Sequence, residues 1–331
     1  MQSHLVFGAG LIGGFMAGVL RSQDLSVSLV VREKMKARFE NGLTLTDYKD
    51  NKTTVDTFQF IDGNDTVPGF DFLWLTVKCT SVADSLVDIR PYVSPQTVIL
   101  CCQNGLGSDT LVREAFPDNL VLRVMVPFNV ADVAVNHLHR GSEGDVYIEV
   151  HEQIEALAQK IDCQLMPVHT SSDMDAVLWA KLQLNLVNAV NALADIPVKS
   201  MLEQRGYRKV IALLMQELLA VVKSEQINLP KLTILPPTWL PFMLSLPDGI
   251  FKVAAAKMLA IDPTVRTSMW WDLSGGRVTE IEHLHGAVER HAKPFNIPTP
   301  VTSKIIQMIH GVENGSLQQG YSASALLDEM L

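Results

Sequence analysis

The feature that most restricts the fold is a glycine turn set between two different periodicities. "SHLVFG" reads as a β-strand, "GAGLIG" occupies residues 8–13, and "LIGGFMAGVLRS" takes up a helical period. In that context Gly8 permits the tight turn, Gly10 lets a pyrophosphate approach the backbone, and Gly13 lets helix and strand pack closely. Together with Ala9, Leu11 and Ile12 they would present the free N–H groups and partial positive charge of a helix N-terminus, a seat for a dinucleotide phosphate. A glycine-rich turn with no ligand is the plain alternative.

The first half continues the alternation. "SVSLVV", "DFLWLTV", "TVILCC" and "LVLRVMV" are further strand candidates, with "SDTLVREAF" as a helix among them. Such alternation implies an α/β fold, a parallel sheet covered by helices. From about residue 169 long helical periods take over in "DAVLWAKLQLNLVNAVNAL", "YRKVIALLMQELLAVVKSEQ" and "VTEIEHLHGAVERHAKPF". We therefore expect two domains, a sheet domain over 1–168 and a mainly helical domain over 169–331, each long enough for its own core. Between the helices, "LPKLTILPPTWLPFMLSLPDGIF" holds five prolines, cannot be one regular helix, and reads as a packed irregular segment.

A net charge of −9 argues against a nucleic-acid surface, which needs clustered cations, and in favour of a small-molecule partner. Cys79, Cys101, Cys102 and Cys163 show no metal-ligand spacing, so no metal is expected and they read as reduced residues of a cytoplasmic protein. No basic flank precedes "HLVFGAG" and no 18-residue apolar run occurs, so neither export nor membrane insertion is indicated.

In this kind of fold ligands bind beyond the carboxyl ends of the strands. Lys78 closes "DFLWLTVK", and Asn104 with Gly105 follows "TVILCC". Singly each is an ordinary loop residue; with the glycine turn they mark one edge of one sheet. An NAD site usually carries Asp or Glu at the end of the second strand, where this chain has Arg32 followed by Glu33. A guanidinium suits a 2′-phosphate, so NADP(H) is the expected cofactor.

In the second half, "WAKLQLNLVNAVNAL" places a lysine and three asparagines in an apolar helical run. At 100° per residue, Asn185 falls about 40° and Asn188 about −20° from Lys181, so the three share one narrow stripe and Asn191 lies off it. A solvated stripe is the plain reading. The other is chemical: an ammonium beside a ketone reduced by hydride can stabilise and protonate the developing oxyanion, with amides orienting a polar substrate.

"GAGLIG", "LTVKCTSVADSL", "CQNGLG", "LWAKLQLN" and "TSMWWDLSGGRVTEIEHLHG" resemble, in order and over residues 4–310, the signature blocks of the ketopantoate reductases, 2-dehydropantoate 2-reductases that use NADPH. The resemblance implies a Rossmann domain followed by a helical domain, with the active site in the cleft between them. It implies Lys181 as proton donor and Asn104 and Asn185 as substrate ligands, with Asn188 in place of an amide common one residue later. It also implies Ser268 at the substrate carboxylate, Glu280 closing the far side, and Lys78, Asn104 and Glu280 near the cofactor. Three positions depart from the family pattern: Ala189, Lys199 and Val265 stand where amides are common. The expectation is NADPH-dependent reduction of a 2-oxo acid, most of all 2-dehydropantoate, by a homodimer. The rivals are the same chemistry on another branched or hydroxylated oxo acid, since a lysine with Asn four residues on also resembles the β-hydroxyacid dehydrogenases, and a non-catalytic NADPH sensor.

Overall fold

The computed structural model describes residues 2–31, 33–61, 69–256, 258–260 and 262–331. Arg32, on which the cofactor expectation leans, lies outside them. The chain divides into two compact units, Met1–Val177 and Leu178–Leu331.

The strands of the first unit are β1 (Ser3–Phe7), β2 (Ser26–Val30), β3 (Leu43–Asp47), β4 (Lys52–Val55), β5 (Gln59–Phe60) and β6 (Phe72–Leu75), then β7 (Val98–Cys101), β8 (Val121–Met125), β9 (Val130–Ala134), β10 (His137–Arg140), β11 (Val146–Glu149) and β12 (Val168–Ser171). Its helices are α1 (Leu11–Ser22), α2 (Glu33–Lys36), α3 (Val82–Ile89), α4 (Ser108–Ala115) and α5 (Glu152–Ile161). Among the described residues, eight strands form one sheet in the order β12-β11-β8-β7-β6-β1-β2-β5. All neighbours are parallel except β8 and β11. The unit runs past residue 168 because β12 pairs with β11. "FLWL" and "VILC" are buried along their whole length, as central strands covered on both faces must be. One face packs Phe15, Met16, Val19 and Leu20 of α1, the other Val82 and Ile89 of α3 and Val112 of α4.

A second sheet, in the order β4-β3-β10-β9, covers the outer side of α1. Two glycines make the approach possible. A Cβ at Gly14 would stand 3.2 Å from Leu138 of β10 and 2.7 Å from Phe39, which precedes β3, and one at Gly18 2.8 Å from Leu45 of β3. The β3–β4 turn is built by Asp47, whose carboxylate accepts from the N–H groups of Lys49 and Asn51 at 2.9 Å, with Asp50 in the left-handed region (φ 63°).

In the second half α6 (Met174–Asn185) and α7 (Val187–Ala194) replace the single helix expected there. The interruption is slight: Leu186 keeps helical angles (−60°, −22°) and donates to the Leu182 carbonyl at 3.1 Å. There follow α8 (Val198–Leu202), α9 (Arg205–Ser224), α10 (Leu240–Ser245), α11 (Asp248–Ala254), α12 (Ser268–Ser274), α13 (Ile281–Ala292), α14 (Pro300–Glu313) and α15 (Ala323–Asp328). The proline-rich segment forms the short α10 and α11, and α9 holds it through Arg208. This fully buried guanidinium donates to the carbonyls of Leu202, Leu244 and Leu246, pairs with Asp248 at 2.9 Å, and lies 4.0 Å over the ring of Phe251. Among the described residues no helix is long and apolar enough to cross a membrane.

Candidate active site

At the carboxyl edge of the parallel strands the glycine turn is locked by contacts that the sequence reading missed. Gly8 has φ +88°, and a Cβ there would stand 2.9 Å from the Val77 nitrogen. The Thr76 hydroxyl lies 3.0 Å from the carbonyls of both Phe7 and Gly8, and a Cβ at Gly13 would stand 2.3 Å from that hydroxyl oxygen. The turn therefore depends on a residue at the end of β6, next to the expected Lys78. Gly10 differs: it is exposed, it caps α1, and the nearest atom to a Cβ there is 3.9 Å away. Among the described residues no side chain caps α1, and no acid stands in its first turn. The first N–H groups of α1 thus face the space that a Cβ on Gly10 would fill, which fits a phosphate.

Beside the turn, exposed Lys78 leads out of β6. The Gln103 amide crosses the gap to the next strand, donating to the Leu75 carbonyl at 2.7 Å and the Val77 carbonyl at 3.2 Å. Its Oε1 is buried with no hydrogen-bond partner among the described residues. Exposed Asn104 follows, its carbonyl accepting from the Cys79 thiol at 2.7 Å, before Gly105 at φ +78°. Gly8, Gly10, Gly13, Lys78 and Asn104 are thereby gathered at one sheet edge, with Ala9, Leu11 and Ile12 completing the turn.

In the second unit Lys181, Asn185 and Asn188 follow one another at steps of four and three, along one face of α6 and α7. Leu182, Leu186, Ala189, Val190 and Leu193 are fully buried on the remaining faces. Lys181 is half-buried and Asn185 buried. Withdrawal of the lysine ammonium from water pushes its pKa down to about 8. An ammonium of that kind is charged at neutral pH yet gives up its proton readily, which suits a general acid.

Ser268 is the first residue of α12 and follows Thr267, the helix cap. α12 packs on α7. Glu280, buried, stands at the N-cap of α13. The preceding peptide is held in place, since the Thr279 N–H donates to Glu313 at 2.8 Å. Glu313 pairs with His310 at 2.7 Å, and His310 reaches Glu282 at 2.8 Å. Hydrogen bonds to these two carboxylates raise the His310 pKa. His285, one turn into α13, is fully buried and sits near the Leu186 carbonyl without making a full hydrogen bond, and burial lowers its pKa to about 4.

Two family models, described as ketopantoate reductase PanE/ApbA and its C-terminal part, match residues 4–153 and 173–313. The chain belongs to the ketopantoate reductase family. It is thus an oxidoreductase of the 2-dehydropantoate 2-reductase type, with the family's Rossmann sheet and helical second half. Among curated family members, the 2-dehydropantoate 2-reductase of Vibrio cholerae is 25% identical over 316 residues, covering 93% of this chain and 97% of that protein. A ketopantoate reductase structure from Ralstonia eutropha superposes with a TM-score of 0.78 at 24% identity, over 94% of this chain and 99% of that one. The fold is also shared with D-mandelate dehydrogenase, solved with NADH and anilino(oxo)acetate, at a TM-score of 0.74 and 18% identity over 94% of this chain and 99% of that one.

Proposed function

We propose that this chain reduces 2-dehydropantoate to pantoate with NADPH, and that Lys181 is the general acid. The observation that carries the reading is a lysine of lowered pKa on a helix face otherwise made polar by amides, one turn from buried Asn185. Residues 8–13 would hold a nicotinamide cofactor, which would supply the hydride for the ketone carbon. Lys181 stabilises the charge that develops on the ketone oxygen and gives it a proton. Asn185 and Asn188 orient the substrate by hydrogen bonds, Ser268 donates to its carboxylate, and Glu280 accepts from its hydroxyl. Lys78 and Asn104 steady the cofactor edge, Asn104 reaching substrate as well, and the Arg32 guanidinium holds the 2′-phosphate.

The protein also belongs in the cytoplasm on this reading, which its four free cysteines support. It pairs as a homodimer, for which exposed Trp239, Phe242, Ile250 and Val253 offer apolar surface.

Loss of NADPH absorbance on adding 2-dehydropantoate tests the reaction, and the same assay with NADH tests the cofactor. NADPH turnover only in the presence of the oxo acid is expected; equal use of NADH would remove the role given to Arg32. A second reading, the same chemistry on another oxo acid, has its own support. Two departures from the family pattern fall together, because the Val198 N–H beside Lys199 donates to the Val265 carbonyl at 2.9 Å. A panel of 2-oxo acids, aryl ones included, ranked by kcat/KM separates the two.

A further inference from the structure

Asn191 lies off the Lys181 stripe, has no part in the chemistry above, and is fully buried. Its amide is nevertheless bonded at both ends. Nδ2 donates to the Ile196 carbonyl at 2.8 Å, and Oδ1 accepts from both the N–H and the hydroxyl of Thr267, each at 3.1 Å. With both lone pairs of Oδ1 engaged, this side chain has no acceptor left for a ligand. Thr267 caps α12, accepting from the Trp270 N–H at 3.4 Å, and its hydroxyl also lies 3.3 Å from the Asn188 carbonyl. Ser268 is the next residue.

We infer that Asn191 is a positioning residue for substrate binding: it pins the Thr267 peptide to α7 and so sets where Ser268 stands relative to Asn188. The chain of contacts lies wholly inside the second unit. A helix start fixed only by its own cap could shift along its neighbour; one whose cap residue gives both its N–H and its hydroxyl to a buried amide cannot do so without leaving that amide unpaired. The inference rests on the reading that Ser268 holds the substrate carboxylate.

The test is steady-state kinetics with the best 2-oxo acid of the panel. Asn191→Ala should raise its KM by about tenfold or more, as for a lost hydrogen bond to a charged group, with kcat within about twofold and NADPH affinity unchanged. Thr267→Ser, which keeps the hydroxyl, should behave as the unmodified protein. Thr267→Val should raise KM, and it carries the test if Asn191→Ala does not fold. The double variant Asn191→Ala, Ser268→Ala should be no worse than Ser268→Ala alone, because both act through one contact. Unchanged KM in Asn191→Ala, additive losses in the double variant, or a parallel fall of kcat, NADPH affinity and Tm would overturn the inference. If Ser268→Ala itself leaves KM unchanged while the protein turns over, the role given to Ser268 fails and the inference falls with it. No turnover of any 2-oxo acid would instead sink the functional reading.

Discussion

On the proposed reading, the two units would meet a small molecule with different parts of the chain. The first offers backbone: a glycine turn, the uncapped start of α1, and loops braced by Thr76 and Gln103. The second offers side chains: Lys181, Asn185, Asn188, Ser268 and Glu280, carried on helices. A backbone site is harmed when atoms are added and a side-chain site when they are removed. Substitutions that shorten side chains should therefore strike the second unit, and those that lengthen them the first.

The largest expected effect lies in the second unit. Lys181→Ala should lower kcat by roughly 10² to 10⁴ while NADPH binding is kept, measured by stopped-flow reduction and cofactor titration. Near-normal kcat would remove the chemical side of the contrast. The unmodified enzyme sharpens it through pH. A general acid must be protonated, so kcat for reduction should fall as pH rises through about 8, the value to which burial has brought Lys181. A rate flat up to pH 10 would assign the proton to another group.

Acid should treat the two units alike, because each buries a neutral histidine. His4 stacks on Phe72 and accepts from the Trp74 indole at 3.3 Å; like His285 it is fully buried with a pKa lowered to about 4. In the unfolded chain each would take up a proton near pH 6.5, before the folded one does. Stability is therefore fully present above that pH and is lost as pH falls from about 6.5 to 4, by about 3 kcal/mol per histidine. Urea midpoints at pH 7 and 4.5 measure this, and His285→Phe should remove its share. A midpoint independent of pH over that range would refute the account.

The smallest effects separate two glycines of one turn. Gly13→Ala drives a Cβ against the Thr76 hydroxyl and should cost about 1 to 3 kcal/mol of stability. Gly10→Ala enters open space and should leave the urea midpoint unchanged while weakening NADPH several-fold, by filling the approach to α1. If both variants bind NADPH normally, the turn does not hold the cofactor.

The same division decides what could be read before folding. Five strands of the main sheet were legible because "HLVF", "FLWL" and "VILC" are dense apolar runs at intervals that helices fill. The four-stranded sheet was not, although "LTLTD" alternates buried Leu43 and Leu45 with half-buried Thr44 and Thr46. Its parallel partner, β10, lies about ninety residues on, and no local pattern announces such a pairing. Gly14 and Gly18 were read as part of a helix, whereas their small size is what admits that sheet. In the second unit the Lys181 stripe followed from helical arithmetic alone. Asn191 fell off the stripe by the same arithmetic, and its tie to Thr267, 76 residues away, depends on how helices pack. Thr76 and Gln103 escaped notice for the same reason, since each bridges strands distant in sequence.

Arg208 bears on how the molecule comes apart. The proline-rich segment has little regular structure, and its composition invites the view that it is the first part to open to a protease. Three carbonyls, a carboxylate and an aromatic face are gathered on one guanidinium from the first turn of α9, the longest helix among the described residues. To peel the segment away is to strip that charge of two carbonyls, a carboxylate and an aromatic face and leave it the Leu202 carbonyl, so the segment should resist nicking for as long as α9 itself survives, and the two should exchange their amide protons together.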